Sequence, residues 1–215
     1  MQIDFITRLT QQLQQPLPGQ AAQLKMANTA RRLAPIDSSK VRQSATLLAL
    51  YQKEGEWYFP LIQRPSRNPN DRHSGQMSFP GGKREEADTT LQATAVREAE
   101  EEVGIQTKEV QVLGKMTPLY ISVSNFMVHP FVGYLPKVPR LKPQPTEVAA
   151  IVEVKVSELL DPEKLKRKDI EVPQGFRLKN VPFFDIQSKT IWGATAMMLS
   201  EFKEVLKYIE IETIS

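Results

Sequence analysis

The chain has 215 residues, 40% of them hydrophobic, so it can bury one sizeable core and one domain is the simplest count. It has no cysteine, which excludes disulfides and thiolate metal sites, and its only histidines, His73 and His129, leave little for a histidine-built metal centre. A net charge of +3 mildly suits an anionic ligand but, with no stripe of basic and aromatic residues, does not point to nucleic acid.

No apolar run approaches the roughly 20 residues that cross a bilayer. Met1-Gln2-Ile3-Asp4 lacks the basic and apolar regions of a secretory signal, so a cytoplasmic protein with no membrane partner is expected. Residues 2–15 read as a helix, Leu17-Pro18-Gly19 breaks it, and a second short helix follows over 20–27. They belong to a helical extension over 1–40, expected to serve packing or dimer contact. Segments 45–52 and 57–63 read as strands around Lys53-Glu54-Gly55-Glu56, a hairpin signal. Phe79-Pro80-Gly81-Gly82 reads as a strand end passing into a loop from Gly82. Its two glycines permit positive φ and close approach of the backbone to a ligand. A helix should start near Thr89 or Thr90, with Asp88 or a threonine as N-cap, and stop at Gly104.

Further strands are expected over 108–119, 126–135 and 148–156, with a Pro-rich loop at 135–145 and a short helix from Ser157. Segments 172–176 and 181–186 suggest a hairpin, and 193–209 a C-terminal helix. Lys164-Leu165-Lys166-Arg167-Lys168 reads as a solvated face, and Phe183 and Trp192 as core. The expected fold class is α/β (α+β): an α/β/α sandwich around a mixed sheet.

The run Arg97-Glu98-Ala99-Glu100-Glu101-Glu102-Val103-Gly104-Ile105 stands out. On a helix, Glu98, Glu101 and Glu102 fall within an arc of about 100°, and Glu100 points away. Leu91, Ala95, Ala99 and Val103 form an adjoining apolar stripe. Acids near a helix C-terminus oppose the macrodipole and repel one another. Arg97 relieves part of this as the i,i+4 partner of Glu101, and a hard cation with oxygen ligands would relieve the rest.

Gly82, Arg97-Glu98, Glu101-Glu102 and Gly104-Ile105 resemble the Nudix box. That pattern runs glycine, five residues, Glu, seven residues, Arg-Glu, an aliphatic, any residue, Glu-Glu, any residue, Gly and an aliphatic. The match from Arg97 to Ile105 is close, with Ala99 at the aliphatic position. The spacing from Gly82 to Arg97 is one residue longer, so Asp88 or Thr89 stands where the first Glu is expected. Segment 72–82 is similar to the stretch ahead of the box in the coenzyme A pyrophosphatase branch. Leu61-Ile62-Gln63-Arg64 stands in for the branch's earlier Leu-Leu-Thr-x-Arg. Val181-Pro182-Phe183-Phe184-Asp185 and Ile191-Trp192-Gly193-Ala194-Thr195-Ala196 look like its C-terminal pattern. The similarity covers about residues 44 to 206, within a Nudix hydrolase domain over 41–215.

The resemblance implies a metal-dependent hydrolase of coenzyme A or its acyl derivatives, releasing adenosine 3′,5′-bisphosphate and (acyl-)4′-phosphopantetheine. Glu98, Glu101 and Glu102 would hold Mg²⁺ or Mn²⁺, assisted by the backbone near Gly81 or Gly82, with Arg97 orienting them. Glu98 is also a candidate water activator, and Glu147 a further ligand or the general base. Arg64, Arg67, Arg72 and His73 would bind substrate phosphates. A homodimer is the family-level expectation. Two alternatives stand beside this reading. One is a Nudix hydrolase of another nucleoside diphosphate derivative, such as ADP-ribose or a dinucleotide. The other is a Nudix-like ligand-binding module without turnover.

Overall fold

In the computed structural model the described residues are 2–28, 41–66, 73–172, 175 and 177–209. Strand β1 (Arg42–Lys53) is the spine of the main sheet. It turns through Glu54 and Gly55, both at positive φ, into β2 (Glu56–Gln63). Two left-handed residues in a two-residue turn give the twist that an antiparallel hairpin needs, so the hairpin forms where the sequence signals it. Lys53 pairs with Glu56 and Tyr51 with Tyr58.

Beyond its hairpin end, β2 pairs with β3 (Met77–Ser78) and β8 (Ala150–Lys155). The other end of β1 is taken by β4 (Gly81–Lys83), antiparallel, with Ala45 opposite Gly82. Gly81 and Gly82 thus lie in a short strand, where a loop beginning at Gly82 was expected. Along its other edge β1 runs parallel to β7 (Phe126–Tyr134). β5 (Gln111–Lys115) and β6 (Leu119–Ile121) pair antiparallel with β7. The eight strands form one mixed sheet.

Residues 111–121 are two strands, where a single strand over 108–119 was expected. Thr117 turns its amide out of the ladder to Glu201 Oε1 (3.2 Å), and Pro118 has no amide to offer.

Side chains alternate across β1. Ala45, Leu47, Ala49 and Tyr51 pack with Ala95, Ala99 and Val103 of α3 (Leu91–Val103). Leu48 and Leu50 pack on the other side with Ala196, Phe202 and Val205 of α5 (Gly193–Lys207). Helices α1 (Gln2–Leu13) and α2 (Gly19–Leu24) cover that second face. Leu9 and Leu13 are buried in its core. Gln23 on α2 donates to Thr117 O (2.9 Å) and to the buried Glu201 (2.8 Å), tying the N-terminal helices to α5 and the β5–β6 corner. Helix α4 (Val156–Leu160) follows β8. The layering is helix, mixed sheet, helix, as expected.

A second sheet joins β9 (Leu165–Glu171), β10 (Arg177–Ile186) and β11 (Lys189–Ile191). The first hairpin strand was expected at 172–176, of which 173, 174 and 176 lie outside the described residues. The ladder instead uses the basic run itself, with Lys168 opposite Val181. Nearly every side chain of β9 is exposed, so the strand carries no apolar alternation for a sequence reading to detect. Phe183 is core as expected, whereas Trp192 is only half-buried.

Candidate active site

The site begins with the frame around α3. Thr90 caps the helix, its Oγ1 accepting from Ala93 N at 3.0 Å. Gly104 closes it in the left-handed conformation (φ 75°), with Ile105 N donating to Ala99 O. These two residues set which way the glutamates face.

Arg97 is the hub. Its Nε and Nη2 donate to Asp88 Oδ1 and Oδ2, both at 2.9 Å. Its Nη1 reaches Glu101 Oε2 at 2.8 Å, and Nη2 also meets Glu98 Oε1 at 3.1 Å and Lys83 O at 3.2 Å. Asp88 is 5% exposed, and its Oδ2 accepts further from Glu85 N and Thr94 Oγ1, both at 2.9 Å. The Arg97 guanidinium, with these donors, holds the Asp88 carboxyl well below the usual range. Asp88 is therefore the acid that pairs with the box arginine, and Thr89 is exposed. Sequence reasoning left the two open, because the extra residue before Arg97 shifts the count.

The glycines set the backbone against the helix. A Cβ on Gly81 would overlap the Ala45 carbonyl, and one on Gly82 would overlap the Glu98 carboxylate. Gly81 N donates to Glu102 Oε2 at 2.8 Å. Glu102 is 3% exposed. Burial pushes its pKa up to about 8; the Gly81 amide and Arg64 oppose that rise, while Glu98 and Glu147 add to it. Glu98 is raised as well, chiefly by burial, against the pull of Arg97. Glu101 is solvent-exposed and turned to Arg97. Glu100 points away and takes Thr107, as the helical spacing requires.

Glu147 sits on an exposed turn brought in by the Pro-rich loop. Lys142 N and Gln144 N bond to Val103 O and Glu102 O at the helix end, both at 2.9 Å. This pins the loop so that Glu147 lies in the field of both Glu98 and Glu102. Arg64 follows β2 and bonds through its backbone to Gln76 O (3.0 Å), while its charge acts on Glu102. His73 contacts Gln76 Oε1 at 3.3 Å. Arg67 and Arg72 lie outside the described residues.

Glu98, Glu102 and Glu147 thus lie in one another's field, with Gly81 bonded to Glu102 and the charge of Arg64 acting on it, and Glu101 is bound to Arg97. Among the described residues no three acidic or histidine side chains already enclose an ion. The donor set is nonetheless all oxygen and includes one buried glutamate, Glu102, and one half-buried, Glu98, both carrying raised pKa values. Such a set fits a hard divalent cation, which favours their ionised form.

Residues 41–175 match the NUDIX domain. The chain belongs to the NUDIX family. It is an enzyme of the Nudix pyrophosphohydrolase class, whose members need divalent cations and act on small nucleotide substrates. The chain is 36% identical over 183 residues to the uncharacterized Nudix hydrolase NudL of Photorhabdus laumondii, covering 85% of this chain and 92% of that one. It is also 36% identical over 197 residues to the NudL protein of Yersinia enterocolitica, covering 91% and 88%. Among solved structures it is similar to a Nudix hydrolase from M. smegmatis, RenU, at TM-score 0.51 and 14% identity, covering 80% and 89%. A MutT/nudix family protein from Enterococcus faecalis gives TM-score 0.51 at 13% identity, covering 92% and 78%. At those identities the structural likeness concerns the fold. No helix among the described residues is long and apolar enough to cross a membrane.

Proposed function

We propose that this Nudix hydrolase cleaves the pyrophosphate of coenzyme A or acyl-coenzyme A, giving adenosine 3′,5′-bisphosphate and (acyl-)4′-phosphopantetheine. The observation that carries the reading is the contact between two motifs. Gly81, in the stretch resembling the coenzyme A branch, donates its amide to Glu102 of the box helix, and the charge of Arg64, from the other such stretch, acts on the same carboxylate.

Glu98, Glu101 and Glu102 are the residues that would hold Mg²⁺ or Mn²⁺, with Glu101 leaving Arg97 to do so. When bound, such an ion neutralises diphosphate charge and acidifies water. Arg97 keeps Glu98 and Glu101 oriented, anchored itself by Asp88. Arg64 offers a bidentate guanidinium to a phosphate, with His73, Arg67 and Arg72 from the same segment. Gly81 and Gly82, which let this backbone lie against β1 and the Glu98 carboxylate, would present main-chain groups to the diphosphate. A water oxygen attacks one phosphorus and the bridging P–O bond breaks. Glu147, exposed at the mouth, takes the water's proton. The assembly in this reading is a homodimer, and light scattering at assay concentration would reveal a monomer instead.

The deciding assay presents coenzyme A, ADP-ribose, NADH and diadenosine polyphosphates with Mg²⁺ or Mn²⁺. Turnover of coenzyme A above the others supports the reading, and turnover of ADP-ribose without coenzyme A overturns it.

A further inference from the structure

A cavity of about 730 Å³ opens between residues 74–77 and the small sheet. That volume falls in the range of nucleotide-sized ligands, roughly 300–1,000 Å³. Gln63 and Trp192 line it, and so do two lysines, Lys168 of β9 and Lys189 of β11.

The partners of these lysines are neutral. Lys168 Nζ donates to Thr190 Oγ1 at 2.7 Å and lies 4.8 Å from the centre of the Phe183 ring. Lys189 Nζ donates to Gln63 Oε1 at 3.1 Å. Neither forms an ion pair among the described residues, in contrast to Lys166 of the same strand, which pairs with Asp185 at 2.7 Å. Asp169 also lines the cavity, but its carboxylate is engaged by Arg177 (3.2 Å) and by Asn180 N (2.8 Å). Glu171 lines the cavity too, and alternation along β9 puts both acids on the side of the strand opposite Lys168. The two cations are thus held on strands by neutral hydrogen-bond partners, and Asp185, whose field also reaches Lys168, is bonded directly to Lys166, an arrangement that suits an anionic ligand group.

The cavity adjoins the active site along the chain. Gln63 lines it, and the next residue, Arg64, acts on Glu102. Gln76 and Met77 line it, and Gly81 donates to Glu102. Five residues of chain span at most about 17 Å, so one elongated ligand reaches both places.

We propose that Lys168 and Lys189 bind the 3′-phosphate of the substrate's adenosine end and so make the enzyme select phosphorylated coenzyme A over its 3′-dephospho form. This rests on the coenzyme A reading above. The test measures hydrolysis of coenzyme A and 3′-dephospho-coenzyme A by the wild-type chain and by Lys168→Gln and Lys189→Gln. Each variant should raise KM for coenzyme A about tenfold, leaving kcat and the dephospho substrate unchanged. Equal KM values for the two substrates in the wild type, or variants that affect both substrates alike, overturn the proposal. Equilibrium titration of the full chain with adenosine 3′,5′-bisphosphate and with adenosine 5′-phosphate separates it from the reading it rests on. If coenzyme A is not hydrolysed, preferential binding of the bisphosphate that weakens about tenfold in both variants supports the phosphate site while the hydrolase reading falls. Equal binding of the two nucleotides, or binding indifferent to both lysines, overturns the site itself.

Discussion

Arg97 donates to both carboxylate oxygens of Asp88 at 2.9 Å, across nine residues of chain and at a nearly buried position. The pair fastens the loop before α3 to the helix, and the same guanidinium reaches Glu98 and Glu101. Asp88→Asn would take from Arg97 the carboxylate that accepts two of its hydrogen bonds, leaving Glu98 and Glu101 as its charge partners. Losing a charge-assisted hydrogen-bond partner costs about 2 kcal/mol. Urea unfolding should show a loss of that order, with a fall in kcat because Glu98 and Glu101 lose their orienter. Unchanged stability and turnover would refute this role for Asp88.

Much of the site was legible because helical spacing is a rigid ruler. Glu98, Glu102 and Arg97 share a face, and Glu100 turns away, as a period of 3.6 requires. The same ruler could not choose between Asp88 and Thr89, which lie before the helix begins. There the decision belongs to Thr94 Oγ1 and the Glu85 amide, which build a pocket for a carboxylate. Strand β9 was illegible for another reason. Its exposed Lys166, Arg167 and Lys168 are held by pairing with β10, a long-range fact that local composition does not record. The split of 108–119 likewise depends on Glu201, more than eighty residues away.

Glu102 makes a pH prediction of definite sign. Its folded pKa, about 8, lies above the ordinary glutamate value of 4.5. The folded state therefore keeps a proton that the unfolded chain releases. The resulting stability is fully present below pH 4.5 and is lost as pH rises through about 8. In EDTA, the urea midpoint should fall between pH 5 and 8, and Glu102→Gln should flatten that fall. Added Mg²⁺ should restore more stability at pH 8 than at pH 5, since it competes with the proton. A midpoint that climbs over this range in EDTA, with Glu102→Gln indistinguishable from wild type, would contradict the assignment.

The same variant separates stability from catalysis. Glu102→Gln retains an acceptor for Gly81 N and removes the need to hold a proton on a buried carboxyl, so it should fold at least as well as wild type. It also removes an ion ligand, so kcat should drop by about 100-fold or more. Glu98→Gln should behave alike. Circular dichroism with single-turnover kinetics distinguishes this from unfolding. A folded Glu102→Gln enzyme with full activity would remove Glu102 from the metal site.

Gly82→Ala probes the contact between β4 and the helix. Gly82 pairs with Ala45 in an extended ladder, so alanine meets no backbone strain there. Its methyl group would instead occupy the place of the Glu98 carboxylate. Glu98 must then rotate away, breaking its 3.1 Å contact with Arg97. A displacement of about 1 Å at a reacting centre costs about 100-fold in rate. The expected result is a folded protein with kcat reduced by about that factor and a weakened response to Mg²⁺ titration. Gly82→Ala with wild-type kcat would mean that Glu98 works from a different rotamer, and that its contact with Gly82 has no part in turnover.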